Sequence, residues 1–306
     1  MRGAGVGISR RAIGKAMLAA GAGVVAGAPP RLARAMVRAA LGPRDDTAAE
    51  RLGWRLGCQA WTFRDRTCIE AVETAGRLGL RTIELYPGQA LAPNDASKVG
   101  PGLGAGAVER LRGTLDRAGV RAACFGVTEP SADEKEARAH LGFCARLGIE
   151  TMTCEPEPGA WAMLARLAEE TGVRLACHNH PRPSRYWEPE AVLRAIKDLG
   201  SRVGFCADVG HWLRSGLTPV ECLERCEGRL VSLHLKDTLV RSETDKPDVV
   251  FGTGGCGMEA MLGELKRQGF RGVLSIEYET GSGATLEREV AESIRVFDAV
   301  AARLAE

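Results

Sequence analysis

Aromatic residues are scarce: three Tyr, seven Phe and five Trp in 306 residues. The core must therefore be mostly aliphatic, and any aromatic side chain near a polar cluster is worth locating. Histidine is scarcer still, with five in the whole chain. No CxxC pair occurs among the ten cysteines, which argues against a thiolate zinc site. Cys58, Cys124, Cys154, Cys177 and Cys206 lie in strand-like apolar runs, where they serve as small fillers. Cys222 and Cys226 are four apart on a helix-like stretch, a poor geometry for a bridge. No GxGxxG follows the first strand-like run, so a dinucleotide fold is disfavoured. The Gly-rich stretch FGTGGCG, with Gly252 and Gly254, lacks the Lys-Ser/Thr of a phosphate loop and reads as a tight turn. There is no excess of one charge in the body either. Residues 1–50 hold eight basic and three acidic residues, and the remainder 33 basic against 36 acidic. That balance points away from nucleic acid and membrane surfaces.

What the first 35 residues do contain is an address. SRRAIGK, from Ser9 to Lys15, resembles a twin-arginine export motif, with Arg10 and Arg11 as the pair and Ile13 at the bulky position. The apolar run at 16–28 is 13 residues long, too short to span a bilayer but suited to a signal segment. The expectation is a signal segment over 1–35, a linker over 36–53 and one domain over 54–306, in a protein delivered to the periplasm or otherwise exported. An Arg- and Ala-rich amphipathic helix is the alternative for the same residues, and would leave the protein cytoplasmic.

From residue 54 onward short apolar runs alternate with amphipathic segments. Strands are expected at 55–63, 82–86, 121–127, 151–155, 174–178, 203–208, 230–234 and 273–278. Segments such as EAVETAGRLG and EPEAVLRAIKDLG carry helical apolar spacing and end on Gly. Eight strands alternating with eight helices over about 250 residues predict an α/β fold of the (β/α)8 TIM-barrel type. A doubly wound sheet is the alternative. Two long connections, 87–106 and 238–257, both follow strands, on the face where such a barrel keeps its chemistry.

The strand ends collect the reactive residues. Strand four ends on Glu155 and Glu157, strand five on His178 and His180, strand six on Asp208 and His211, strand seven on His234 and Asp237, and strand eight on Glu277 and Glu279. Four of the five histidines thus converge on one mouth, and His140 alone lies on a helix. Imidazoles and carboxylates brought together there are costly unless paired or metallated, and the set suits a divalent ion bound without thiolates. Residues two apart share a strand face, so spacing leaves open whether His178 or His180 meets the metal.

CADVGHW, LHLKD, GTGGCG and LSIEYE, with CQAWTFRD at strand one, resemble the xylose isomerase-like barrels of the sugar isomerase and epimerase type, over roughly residues 54–300. The resemblance implies one metal ligand from each of strands five to eight: His178, Asp208, His234 and Glu277. Many members have Glu where this chain has His178, and epimerases use that Glu and the strand-eight Glu on opposite faces of the substrate. One divalent ion is expected, Mn, Co, Mg or Zn. Glu277 is the expected ligand and base, with His180, His211 and Glu155 as candidates for the opposite face and Lys236 for a developing oxyanion. Trp61, Phe63 and Trp187, with Tyr186, are candidate walls for a sugar.

The function expected is a metal-dependent isomerase or epimerase of a sugar or keto-sugar, acting by proton abstraction next to a carbonyl. A lyase or dehydratase, for example on 3-keto-glycosides, shares that first step, and a non-catalytic sugar-binding barrel is the rival of another class. The expected partner is a small carbohydrate, with no nucleic acid and no stable membrane insertion. A homo-oligomer is compatible with the sequence.

Overall fold

The computed structural model describes residues 44–306; the expected signal segment lies outside the described residues. Within the expected linker, Thr47–Leu52 forms a helix, α1, whose Ala49 is buried. Gly53 then turns at φ 79°, a conformation that costs glycine little, and its carbonyl accepts a hydrogen bond from Gly272 N–H. A Cβ at Gly53 would lie 2.7 Å from the Arg271 side chain. The folded unit therefore includes residues that were expected to be linker.

The strands are β1 (Trp54–Gln59), β2 (Thr82–Leu85), β3 (Arg121–Thr128), β4 (Thr151–Cys154), β5 (Arg174–His178), β6 (Val203–Asp208), β7 (Leu230–Leu235) and β8 (Gly272–Ile276). They pair in parallel, in sequence order, and β1 closes on β8, so the sheet is a barrel with no free edge. Helices α2 (Cys68–Arg77), α3 (Ala105–Ala118), α4 (Glu134–Leu147), α5 (Trp161–Thr171) and α6 (Pro189–Ile196) follow the first five strands. Two short helices, α7 (Val209–Arg214) and α8 (Pro219–Arg225), follow β6; α9 (Met258–Arg267) and α10 (Gly283–Leu304) follow β7 and β8. This is the (β/α)8 barrel expected from the alternation. Its wall leaves little room: a Cβ on Gly204 of β6 would come within 2.1 Å of the Arg229 carbonyl oxygen. All ten cysteines are buried thiols. Among the described residues, no helix is long and apolar enough to cross a membrane.

Two differences from the expected strands shape the mouth. β1 ends at Gln59, and 60–63 form a 3-10 turn in which the Gln59 side chain accepts a hydrogen bond from Trp61 N–H. That turn leaves Trp61 40% exposed and sends Phe63 into the core, beneath the Arg66 guanidinium. β8 ends at Ile276, yet Glu277 N–H still donates to the Leu235 carbonyl, so Glu277 keeps the strand register. The 238–257 connection winds around the buried Asp237, whose carboxylate accepts from the N–H groups of Gly252, Gly254 and Cys256. Gly254 is obligatory there, since a Cβ would sit 2.3 Å from Asp237 Oδ1. The expected tight turn at FGTGGCG is thus a loop wrapped on a carboxylate.

Candidate metal centre

His178 and Asp208 are the last residues of β5 and β6, His234 is the penultimate residue of β7, and Glu277 directly follows β8. Register places Asp208 beside His234, and His234 beside Ser275. Parallel strands of a closed barrel aim such positions at one point. A ligand atom from each of the four residues lies within 4.8 Å of every other, and all four side chains are buried.

The partners of these atoms test whether an ion fits. Among the described residues, His178 Nε2, Asp208 Oδ2 and His234 Nδ1 are buried and meet no partner in hydrogen-bond geometry, though Asp208 Oδ2 has the Lys236 ammonium 3.1 Å away as an ion pair. His178 Nε2 and Asp208 Oδ2 are 3.6 Å apart, and His234 Nδ1 lies 3.2 Å from Glu277 Oε2. Polar atoms left this way cost folding energy unless something satisfies them. Each imidazole is meanwhile held by its other nitrogen. His178 Nδ1 meets Glu155 at 2.8 Å, and His234 Nε2 meets Glu84 at 3.0 Å. A ring fixed at one nitrogen by a carboxylate and presenting the other is the usual arrangement of a metal-ligating histidine. The cluster can chelate a divalent ion with two nitrogen and two oxygen donors, a set that suits Zn, Mn or Co and does not by itself choose among them.

Lys236 is fully buried among carboxylates, with Nζ 2.8 Å from Glu277, 2.9 Å from Glu279 and 3.1 Å from Asp208. Burial opposes its charge, but Asp208, Glu277 and Glu279 together raise its pKa well above the ordinary lysine value. Lys236 also donates to His211 Nε2 at 3.0 Å. His211 must then carry its proton on Nδ1, which lies 2.9 Å from the Asn179 carbonyl oxygen. Burial is the main reason its pKa falls to about 4, with Lys236 adding to it and Asp208 opposing. His211 is therefore a neutral imidazole near pH 7.

Glu155 occupies both its oxygens. Oε1 faces His178 Nδ1 and accepts from the His180 N–H, with His180 Nδ1 also against it; Oε2 accepts from Ser184 Oγ. Burial would raise its pKa, but the two histidines hold it well below the carboxylate range. Ligand atoms of Glu155, His178 and His180 also lie within 4.8 Å of one another. Their atoms are already committed to one another, so the group orients the two imidazoles. His180 is half-exposed and its ring stacks on His211 at 5.3 Å, facing the cavity.

A cavity of about 280 Å³ opens above the quartet and is lined by His178, His180, His211, Glu277 and Glu279. Trp61, Gln59, Tyr86 and Glu129 are also part of its wall. Of the aromatic residues expected to flank a sugar, Trp61 lines this cavity. Phe63 is fully buried and Trp187 lies under the Arg182 guanidinium; neither lines this cavity. Tyr186 is buried and hydrogen-bonds to the Pro156 carbonyl.

Sequence reading missed several contributors. Glu84 sits in the apolar run TIEL, where one charged residue flanked by Ile83 and Leu85 was the available sign. Arg214 and Asp248 form a buried pair at 2.6 Å, and Arg214 reaches on to Glu279. They link α7, the long loop after β7 and the segment beyond β8, a connection with no trace in linear spacing.

A closed parallel barrel with a nitrogen-and-oxygen donor quartet at the C-terminal ends of four consecutive strands defines a metal-site TIM barrel. The chain belongs to the xylose isomerase-like TIM barrel family, whose family model matches residues 69–300. It is 33% identical over 130 residues to the rhizopine catabolism protein MocC of Rhizobium meliloti, covering 38% of this chain and 40% of MocC. The chain spans less than half the length of the curated relatives it matches. A crystal structure of an uncharacterized protein from Parabacteroides distasonis superposes with TM-score 0.65 at 30% identity, covering 79% of this chain and 97% of that one. A D-tagatose 3-epimerase-like protein shares the fold with TM-score 0.63 at 17% identity, over 80% and 98% of the two chains.

Proposed function

We propose that the protein is a divalent-metal-dependent isomerase or epimerase of a small sugar or keto-sugar. The observation that carries this reading is the convergence of donor atoms from His178, Asp208, His234 and Glu277 within 4.8 Å of one another, beside a cavity of about 280 Å³ that His178 and Glu277 line. His178, Asp208, His234 and Glu277 would hold the ion. When bound, it supplies Lewis-acid stabilisation of negative charge on adjacent substrate oxygens.

The residues of the chain account for the rest. Lys236 holds Glu277, and Glu155 holds His178, in fixed orientations at the edge of the cavity. Burial raises the pKa of Glu277, but Lys236 and His234 outweigh it and hold the group at about 2, so it is ionised and offers its oxygens to an ion first; to take a proton from carbon it must lose part of that ion pairing. His180 offers its remaining ring nitrogen as the proton carrier on the other side, with Glu155 fixing its tautomer. Trp61 supplies an apolar face against which a sugar ring packs. MocC is named for rhizopine catabolism and the epimerase-like structure for D-tagatose; the second name supports the sugar reading.

A second reading, a lyase or dehydratase that loses a β-substituent after the same proton abstraction, is favoured by one feature. By the family resemblance, His178 stands where epimerases carry a second carboxylate; with Nδ1 of His178 held by Glu155 and Nε2 turned to the ion, the half-exposed His180 is the imidazole left to face a leaving group.

The test is solvent-deuterium incorporation into hydroxy-ketones and 3-keto-sugars by the manganese-loaded protein, with Asp208→Ala as the metal-free control. Exchange without elimination supports the isomerase, and elimination supports the lyase. A metal-loaded protein that exchanges no substrate would reject proton abstraction.

A further inference from the structure

The cavity over the quartet is not alone. A second, more open cavity of about 550 Å³ shares Tyr86 with it and is lined by Arg64, Arg66, Gln89, Ala90 and Lys98. The common wall is an edge-to-face pair, Trp61 against Tyr86, with ring centroids 5.1 Å apart. Arg64 braces that wall: its guanidinium lies 5.7 Å from the Trp61 ring centre and donates to the Glu279 carbonyl. Pockets for whole small molecules run from about 300 to 1,000 Å³, so the inner cavity has room for one sugar ring and the two together have room for considerably more.

From this geometry we infer that the substrate is a glycoside whose second unit occupies the outer cavity. The inference rests on the sugar reading of the inner site. The charge of the outer cavity favours a neutral, hydroxyl-bearing group over a phosphate. Arg64, Arg66 and Lys98 line this space with Asp65 and Glu70, and Glu287, 2.7 Å from Arg66, brings cations and carboxylates into balance. Glu70 is spent on the start of α2, where it accepts from Thr67 N–H. Gln89 is 2% exposed, and its Nε2 donates to the Arg66 carbonyl. That bond fixes the amide's orientation and leaves Oε1 as a buried acceptor with no donor among the described residues. An acceptor without a donor in a cavity wall suits hydroxyl groups and opposes an anion. Trp61 and Tyr86 present aromatic surface at the boundary of the two cavities, the kind of surface on which sugar faces pack.

The experiment is calorimetric titration of the manganese-loaded protein with three matched pairs: D-glucose and cellobiose, D-galactose and lactose, D-xylose and xylobiose. Glucose 6-phosphate is a seventh ligand. At least one disaccharide should bind about tenfold or more tightly than its monosaccharide. Ala90→Trp, which fills the outer cavity, should remove that gain while leaving monosaccharide affinity within about twofold. Pro93→Trp, at an exposed position of the same wall, repeats the test in a variant whose folding is not at risk. Three outcomes overturn the inference: no disaccharide binding more tightly than its monosaccharide, the tryptophan variants weakening both members of a pair equally, or glucose 6-phosphate outbinding every disaccharide. None of these outcomes bears on deuterium exchange at the inner site, so failure here and failure of the isomerase reading are separable.

Discussion

Nε2 of His234 lies 3.0 Å from a carboxylate oxygen of Glu84, and both side chains are fully buried. Ser275 donates to the same oxygen at 3.1 Å. This pair turns the Nδ1 of His234 toward Asp208 and Glu277. Glu84→Gln should keep the fold and lower metal affinity by about 10- to 100-fold, the usual cost of losing a carboxylate behind a ligating histidine. Competition against a fluorescent chelator measures it. An unchanged affinity would remove Glu84 from the site.

Metal uptake should depend on pH in a defined direction. Burial disfavours charge on His178, but Asp208 and Glu155 on either side prevail and its pKa is pushed up to about 10. The metal-free protein at pH 7 therefore holds a proton that the ion must displace, so affinity should rise between pH 6 and pH 8 with proton release on binding. The sign for stability is opposite. A histidine raised from 6.5 to about 10 stabilises the metal-free fold fully below about pH 6.5 and loses that contribution as pH rises through about 10. Titration of metal in two buffers of different ionisation enthalpy reports the proton count.

Asp248 holds Arg214 with both groups largely out of solvent. Asp248→Ala leaves the guanidinium with Glu279 alone and frees Thr238 Oγ1, which donates to the same carboxylate. Breaking a buried pair from one side costs about 3–5 kcal/mol. Urea denaturation should show most of that loss, with Asp248→Asn intermediate. A variant as stable as the parent would mean the network is solvated.

His180 separates a proton carrier from a wall residue. His180→Ala should retain metal, because Glu155 still holds His178, and lower turnover by about 10² to 10⁴. His178→Glu should bind metal in either mechanism and gain exchange only if a second carboxylate is what the reaction wants. Equal turnover in His180→Ala and the parent would assign the proton to another group.

Export is a separate proposal, motivated by Arg10 and Arg11 in SRRAIGK. Replacing both with Lys should hold the protein in the cytoplasm, as read by fractionation. Unchanged distribution would sink the twin-arginine reading.

The barrel and its quartet were legible because both are strand-end properties. Each ligand falls at the end of an apolar run, and a closed parallel sheet brings such ends together whatever lies between them. The residues that hold the ligands were not legible for the complementary reason. Glu84 and His234 are 150 positions apart, and only barrel closure makes them neighbours. Asp248 sits in a loop whose path is set by Asp237 rather than by any periodicity. Phe63 is buried, not a wall residue as expected, because β1 ends four residues before the expected end at 63. The side chain of Gln59 turns the chain at that point, and the alternation that would have aimed Phe63 at the mouth stops there.

The loop wrapped on Asp237 has a use in engineering. Its stem is closed twice, by three N–H groups on the Asp237 carboxylate and by the Thr238–Asp248 bridge. The tip between them, carrying Arg241, Ser242, Glu243, Thr244 and Asp245, is solvent-facing. Extra length in a loop whose ends are already fixed adds only a logarithmic entropy cost, about 0.6 kcal/mol per doubling. The tip is therefore a place to splice a reporter, an affinity handle or a whole guest domain while the stem keeps the host's mouth in register.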